Sequence, residues 1–306
     1  MTPNIQARVT GGLVTKENSR VCSEELVYVE SDDGLLLEGV VLRPLATSEK
    51  ELAVVWIHGL TGKFYAPSTI KIGRALAARG HTFVAGNNRG HDFGAVYRTK
   101  TGERRILGGG WERFDESPYD VAAWVGFAME LGFRGVVLIG HSLGALKVCY
   151  YQAHRQDPRV VGVVAASPPL RAGRVDPKVL AQAERMVAEG RGRDLLPWDV
   201  SQAGAGTHSA ETLLNRVQAN IDVYGFQTPA PAVGQIRCPI FAIYGTDEAW
   251  VGGPSDLEVI RRNAVEARRV DTRMMEGADH TYTGHEADVA SVFAEWIDSL
   301  GEVSQS

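Results

Sequence analysis

The sequence predicts a doubly wound α/β fold built on a mostly parallel sheet, and three observations predict it. Short runs that are apolar at nearly every position, LAVVWI (52–57), HTFVAG (81–86), GVVLIG (135–140), VVGVVAAS (160–167) and PIFAIYG (239–245), suit strands covered on both faces. Between them lie segments with helical spacing at 67–80, 117–132, 142–156, 254–267 and 285–301. Strands and helices alternating at this interval imply crossover connections and parallel pairing.

The chain opens differently. EELVYVES and LLLEGVVLRP alternate apolar with polar residues around the turn DDG, which predicts an antiparallel pair. A last strand is expected at RRVDTRMME, before the final helix. Residues 171–236 break the rhythm: they hold two helical patterns, 176–190 and 209–225, joined by the Gly-rich SQAGAGTH, and no convincing strand. A structureless loop of that length is improbable, so a helical cap inserted in the core is expected, with the core formed by 24–170 and 237–301.

Composition narrows the function. In 306 residues, 44% hydrophobic and 23% charged, no apolar run approaches the roughly 18 residues of a membrane span. The opening residues show no cationic segment followed by an apolar core, so a cytoplasmic location is expected. The net charge of -5 shows no basic bias that would suit nucleic acid. Cys22, Cys149 and Cys238 are odd in number and widely spaced, which favours small buried hydrophobes over a disulfide framework or a zinc site. The expected partner is a small-molecule substrate, with no cofactor, metal, membrane or nucleic acid.

The residues that carry chemistry gather after the strands. GHSLG (140–144) follows the run GVVLIG and precedes the helical LGALKVCYY, so Ser142 occupies a tight strand-to-helix turn that lifts its hydroxyl above the strand ends. A serine hydroxyl needs a base to take its proton and a third group to orient that base. Asp247 lies at the end of the run FAIYG, and His280 lies in GADHTY before the last helix, giving nucleophile, acid and base in chain order.

Rivals stand beside each of these positions. Glu248 is one residue farther along its loop and reads as a solvated carboxylate; His285 sits where the last helix begins; His141 reads as a packing residue; Asp279 reads as a loop carboxylate; Lys147 reads as a surface or supporting residue. In HGLTG (58–62) the backbone N–H of Leu60, paired with that of Leu143, offers two donors for an oxyanion. The loops NNRGHDFG (87–94) and LGGGWERF (107–114) are expected to border the pocket, with Arg89, His91 and Trp111 as structural or contact residues.

HGLTG, NNRGHDFG, GHSLG, YGTDE and GADHTY fall in an order that resembles the α/β-hydrolase fold superfamily over about residues 24–300. The HG-x-x-G turn, the loop ILGGGWERFDES and the elbow GHSLGALK are similar to feruloyl-esterase-like and siderophore-esterase-like branches. That resemblance implies a mostly parallel eight-stranded sheet, a triad of Ser142, Asp247 and His280, no metal, and a cap after the sixth strand. The expected reaction is cleavage of a carboxylic ester, lactone or thioester through an acyl-enzyme on Ser142. Two alternatives keep the same residues: an acyltransferase or cyclase, and a non-catalytic receptor of the same fold.

Overall fold

The computed structural model describes residues 22–197 and 208–302. The opening segment, the Gly-rich stretch up to Thr207 and the last four residues lie outside the described residues, and with them the expectation drawn from the chain's first twenty residues.

β1 (Cys22–Glu30) and β2 (Leu36–Pro44) form the expected antiparallel pair, turning through Gly34 at φ 84°. β3 (Leu52–Ile57), α1 (Pro67–Ala77) and β4 (Phe83–Gly86) follow, then a small antiparallel hairpin of β5 (Ala95–Arg98) and β6 (Arg104–Leu107). The chain continues as α2 (Ser117–Glu130), β7 (Gly135–His141), α3 (Leu143–Arg155) and β8 (Val160–Ala166). Next come α4 (Pro177–Ala188) and α5 (Ala210–Gln218), then β9 (Ile240–Gly245), α6 (Pro254–Asn263), β10 (Val270–Met275) and α7 (Glu286–Glu302).

Eight strands make one sheet in the order β1-β2-β4-β3-β7-β8-β9-β10, parallel from β4 onward. Alternate side chains of each buried strand enter opposite cores, as a two-residue period requires. Val54 and Trp56 of β3 lie on the face covered by α1 and α7, whereas Ala53, Val55 and Ile57 face α2 and α3. Because both faces are covered, the inner strands β3, β4, β7, β8 and β9 are apolar almost throughout. The chain between β8 and β9 adds no strand to this sheet among the described residues; α4 and α5 instead enclose a small apolar cluster of Val179, Ala183, Met186, Leu196, Ala210 and Leu213. Cys22 and Cys149 are buried and Cys238 is half-buried, all three as free thiols.

Parallel strands deliver their C-terminal ends to one edge. There the turn after β3, the turn after β7 and the loops after β8, β9 and β10 converge.

Candidate active site

Ser142 stands between β7 and α3 with φ 55° and ψ -125°, a conformation that a β-carbon strains and that packing must hold. Its N–H donates to the Ala166 carbonyl at 2.8 Å, and its carbonyl accepts from the N–H of Ala145 at 2.9 Å. The flanking glycines are required by contact: a β-carbon on Gly140 would lie 2.2 Å from the Gly144 carbonyl oxygen, and one on Gly144 2.2 Å from that of Ile57. The hydroxyl lies 3.1 Å from Nε2 of His280, which comes from the loop between β10 and α7.

The carboxylate that meets His280 is Glu248, and this corrects the expectation of Asp247. After β9 the chain enters a single 3-10 turn, Thr246–Glu248. The N–H of Asp247 donates to the Ala278 carbonyl at 3.0 Å, and its side chain is exposed, near only the Thr246 hydroxyl. One residue on, the turn has rotated inward: Glu248 is fully buried, and Oε2 accepts from Nδ1–H of His280 at 2.7 Å. Its other oxygen accepts from Gly245 N–H and the Ser167 hydroxyl, both at 2.5 Å. Sequence position favoured the residue nearest the strand end, but a turn of three residues decides which side chain faces in.

With its Nδ1 proton held by Glu248, His280 presents Nε2 as an acceptor toward Ser142. Its loop is fastened from two sides. His141 donates from Nε2 to the His280 carbonyl at 2.6 Å and stacks on Trp56, and burial pushes its imidazole down to about 4, helped by the neighbouring His280. Asp279 accepts N–H bonds from Thr281 and Thr283, both at 2.9 Å. Burial opposes ionisation of that carboxyl, but these bonds outweigh it and hold it below the usual carboxylate range. His285 lies near Asp288 at 3.6 Å, away from Ser142.

The turn after β3 holds its shape through His58. Its Nδ1–H donates to the Gly59 carbonyl at 2.8 Å, and its Nε2 accepts from the N–H of Asn88 at 3.0 Å. Burial, reinforced by the Lys147 charge, lowers it to about 3 and keeps it neutral. Leu60 on this turn and Leu143 at the first position of α3 both line the cavity that holds Ser142. Among the described residues neither N–H is given to a protein acceptor, and the first turn of a helix carries partial positive charge.

The cavity has a volume of about 590 Å³. Val179, Leu213, Val217 and Ile221 wall it on the side of α4 and α5. The loop after β8 contributes Arg171 and Arg174, and the loop after β9 contributes Trp250, which is 75% exposed with its ring 5.1 Å from that of His280. Sequence reasoning passed over these three residues and Ser167; an aromatic residue close behind TDE was the one available signal.

The loops at 87–94 and 107–114 lie behind the described cavity wall, which contains none of their residues, a second correction. Arg89 is fully buried among Asp33, Glu116 and Asp120, Trp111 donates from Nε1 to the Arg193 carbonyl at 2.9 Å, and His91 lies 2.8 Å from Asp92. Lys147 is not at the surface either. Fully buried, it pairs with Glu112 at 2.5 Å and donates to Asn88 Oδ1 at 3.0 Å, while Arg216 of α5 takes the other Glu112 oxygen at 3.1 Å.

Solved structures share this architecture. Est1E from Butyrivibrio proteoclasticus, solved with ferulic acid bound, superposes with a TM-score of 0.65 at 17% identity, covering 90% of this chain and 98% of that one. The esterase Pf2001 of Pyrococcus furiosus gives 0.58 at 18% identity, covering 91% and 93%. A soluble variant of monoglyceride lipase from Saccharomyces cerevisiae, in complex with a substrate analogue, gives 0.63 at 15% identity, covering 90% and 95%. A search of curated proteins finds no match. The alpha/beta hydrolase family matches residues 54–293, most of the chain and every element that carries the site, and the chain belongs to that family.

Proposed function

We propose that the protein is a serine esterase that cleaves a carboxylic ester through an acyl-enzyme on Ser142. The observation that carries this reading is the hydrogen-bonded chain Glu248–His280–Ser142, at 2.7 and 3.1 Å, beside two uncommitted backbone N–H groups. His280 takes the hydroxyl proton as Ser142 attacks the carbonyl carbon. Glu248 fixes the tautomer and stabilises the imidazolium. The N–H groups of Leu60 and Leu143 receive the oxyanion, aided by the N-terminus of α3. Collapse of the tetrahedral intermediate expels the alcohol, protonated by His280, and water activated by the same imidazole then releases the acid.

The segment 171–236 acts as a cap over a core formed by 24–170 and 237–301, closing the cavity with Val179, Leu213, Val217 and Ile221. The solved relatives, named as an esterase and a monoglyceride lipase, support ester chemistry on this framework. An active-site-directed fluorophosphonate tests the reading: it should label Ser142, and Ser142→Ala should abolish both labelling and hydrolysis of 4-nitrophenyl esters. Labelling at another serine, or undiminished turnover in the variant, overturns it.

A further inference from the structure

The cavity that holds Ser142 is lined by Arg171, Arg174 and Arg216, and no aspartate or glutamate is among its described lining residues. The carboxylates behind the wall do not balance them. Arg171 pairs with Asp256 at 2.9 Å, but Arg216 must share Glu112 with Lys147. Arg174 stands over the Phe226 ring at 5.2 Å and pairs with no carboxylate among the described residues. The wall therefore carries excess positive charge facing the space a substrate would fill.

A neutral ester draws nothing from that charge, and covering a guanidinium with apolar groups costs free energy unless an acceptor meets it. A guanidinium fork matches an anionic oxygen group in two hydrogen bonds. From this arrangement, and resting on the esterase reading above, we infer that the substrate is an ester bearing a second, anionic oxygen group, a carboxylate or a phosphate, away from the scissile carbonyl. Leu60 and Leu143 receive the ester oxygen; Arg174, with Arg171 and Arg216, receives the anion. The apolar residues of α4 and α5 cover the chain between them.

Binding to the Ser142→Ala protein tests this without consuming the ester. The probes are 4-nitrophenyl hydrogen glutarate, 4-nitrophenyl 4-(phosphonooxy)butanoate and the neutral 4-nitrophenyl pentanoate, titrated by calorimetry at low and high salt. At low salt at least one charged ester should bind about tenfold tighter than the pentanoate, the value of one charge-assisted contact, and whichever gains more names the anion. Added salt should shrink the preference, and Arg174→Glu should abolish it. Equal or weaker binding of both charged esters overturns the inference, as does a preference that survives Arg174→Glu. Turnover of the pentanoate by the unmodified protein reads the esterase assignment separately, so the two fail independently.

Discussion

Glu248 accepts three hydrogen bonds, from His280, the Ser167 hydroxyl and the Gly245 N–H, in a site with no access to water. Such a carboxylate is fixed in direction, and an imidazole bonded to it is fixed in tautomer. Replacing it by Gln puts an amide where the acceptor stood, so Glu248→Gln should lower kcat/KM by about 10³-fold or more, as expected when a base loses its orienting acid. Asp247→Asn should leave kcat/KM within about twofold, since its side chain faces solvent. Kinetics on one 4-nitrophenyl ester decide between the two, and the reverse result would restore Asp247. Ser167 is itself held at φ 51° and also meets the Tyr282 hydroxyl at 2.7 Å. Ser167→Ala should therefore cost kcat about tenfold, with KM and fluorophosphonate labelling retained, because one bond to Glu248 is lost while Ser142 stays in place. That Ser142 and His280 meet was legible in the sequence because the strand–turn–helix context and chain order constrain them. Glu248 was not, since the difference between neighbouring carboxylates is one step of a 3-10 turn.

At the scale of elements, the buried triplet Lys147–Glu112–Arg216 ties α3, which begins just after Ser142, to α5 through the loop after β6. The same loop is bonded to α5 through its backbone, with Ser209 N–H donating to the Gly110 carbonyl at 2.8 Å and Phe114 N–H to Asn215 Oδ1 at 2.6 Å. Breaking a buried pair on one side leaves an uncompensated charge, so Glu112→Gln should destabilise the protein by about 3–5 kcal/mol. Urea unfolding measures this, and Glu112→Leu combined with Lys147→Met should recover part of the loss. A Glu112→Gln protein as stable as the parent would show that the triplet contributes nothing. The inner strands β3, β4, β7, β8 and β9 were readable because burial on both faces leaves apolar runs, whereas β1 and β2 showed as alternation around a turn. The hairpin of β5 and β6 was not: its strands are four residues each, carry Arg98, Arg104 and Arg105, and are mostly exposed, so no core writes a pattern into them. The helical pattern at 209–225 continued too far because its apolar residues serve two ends. The helix stops at Gln218, Asn220 turns left-handed at φ 52°, and Ile221 reaches the cavity from beyond the helix.

Taken as a whole, the molecule buries several histidines that it must keep neutral, and this sets how it answers acid. Burial lowers His58 to about 3 and His141 to about 4, and half-buried His208 is lowered to about 3 by desolvation and the neighbouring Arg216 charge. Hydrogen bonds require the neutral form in two of them: His58 Nε2 accepts from Asn88 N–H, and His208 Nε2 accepts from Arg216 Nη1 at 2.8 Å. In the unfolded chain each takes up a proton near pH 6.5. Between that value and the depressed folded values the unfolded state holds more protons, so the free energy of unfolding falls as pH falls. The stability is complete above about pH 6.5, and each histidine removes up to about 1.4 kcal/mol per pH unit below it. Glu112 acts in the same direction but later. Burial opposes its ionisation, yet Lys147 and Arg216 hold it below the usual carboxylate range, so its share is lost only as pH falls under the unfolded carboxylate value of about 4.5. The interval from pH 6.5 to 5 therefore isolates the histidines. His81, also buried and lowered by that burial, acts in the same direction. Urea unfolding across the interval should show stability declining with a steepening slope, and His208→Asn, whose amide oxygen still accepts from Arg216, should flatten that slope by up to about 1.4 kcal/mol per unit. A flat profile between pH 6.5 and 5 would mean that these imidazoles take up protons in the folded protein, with the Asn88 and Arg216 contacts broken below pH 6.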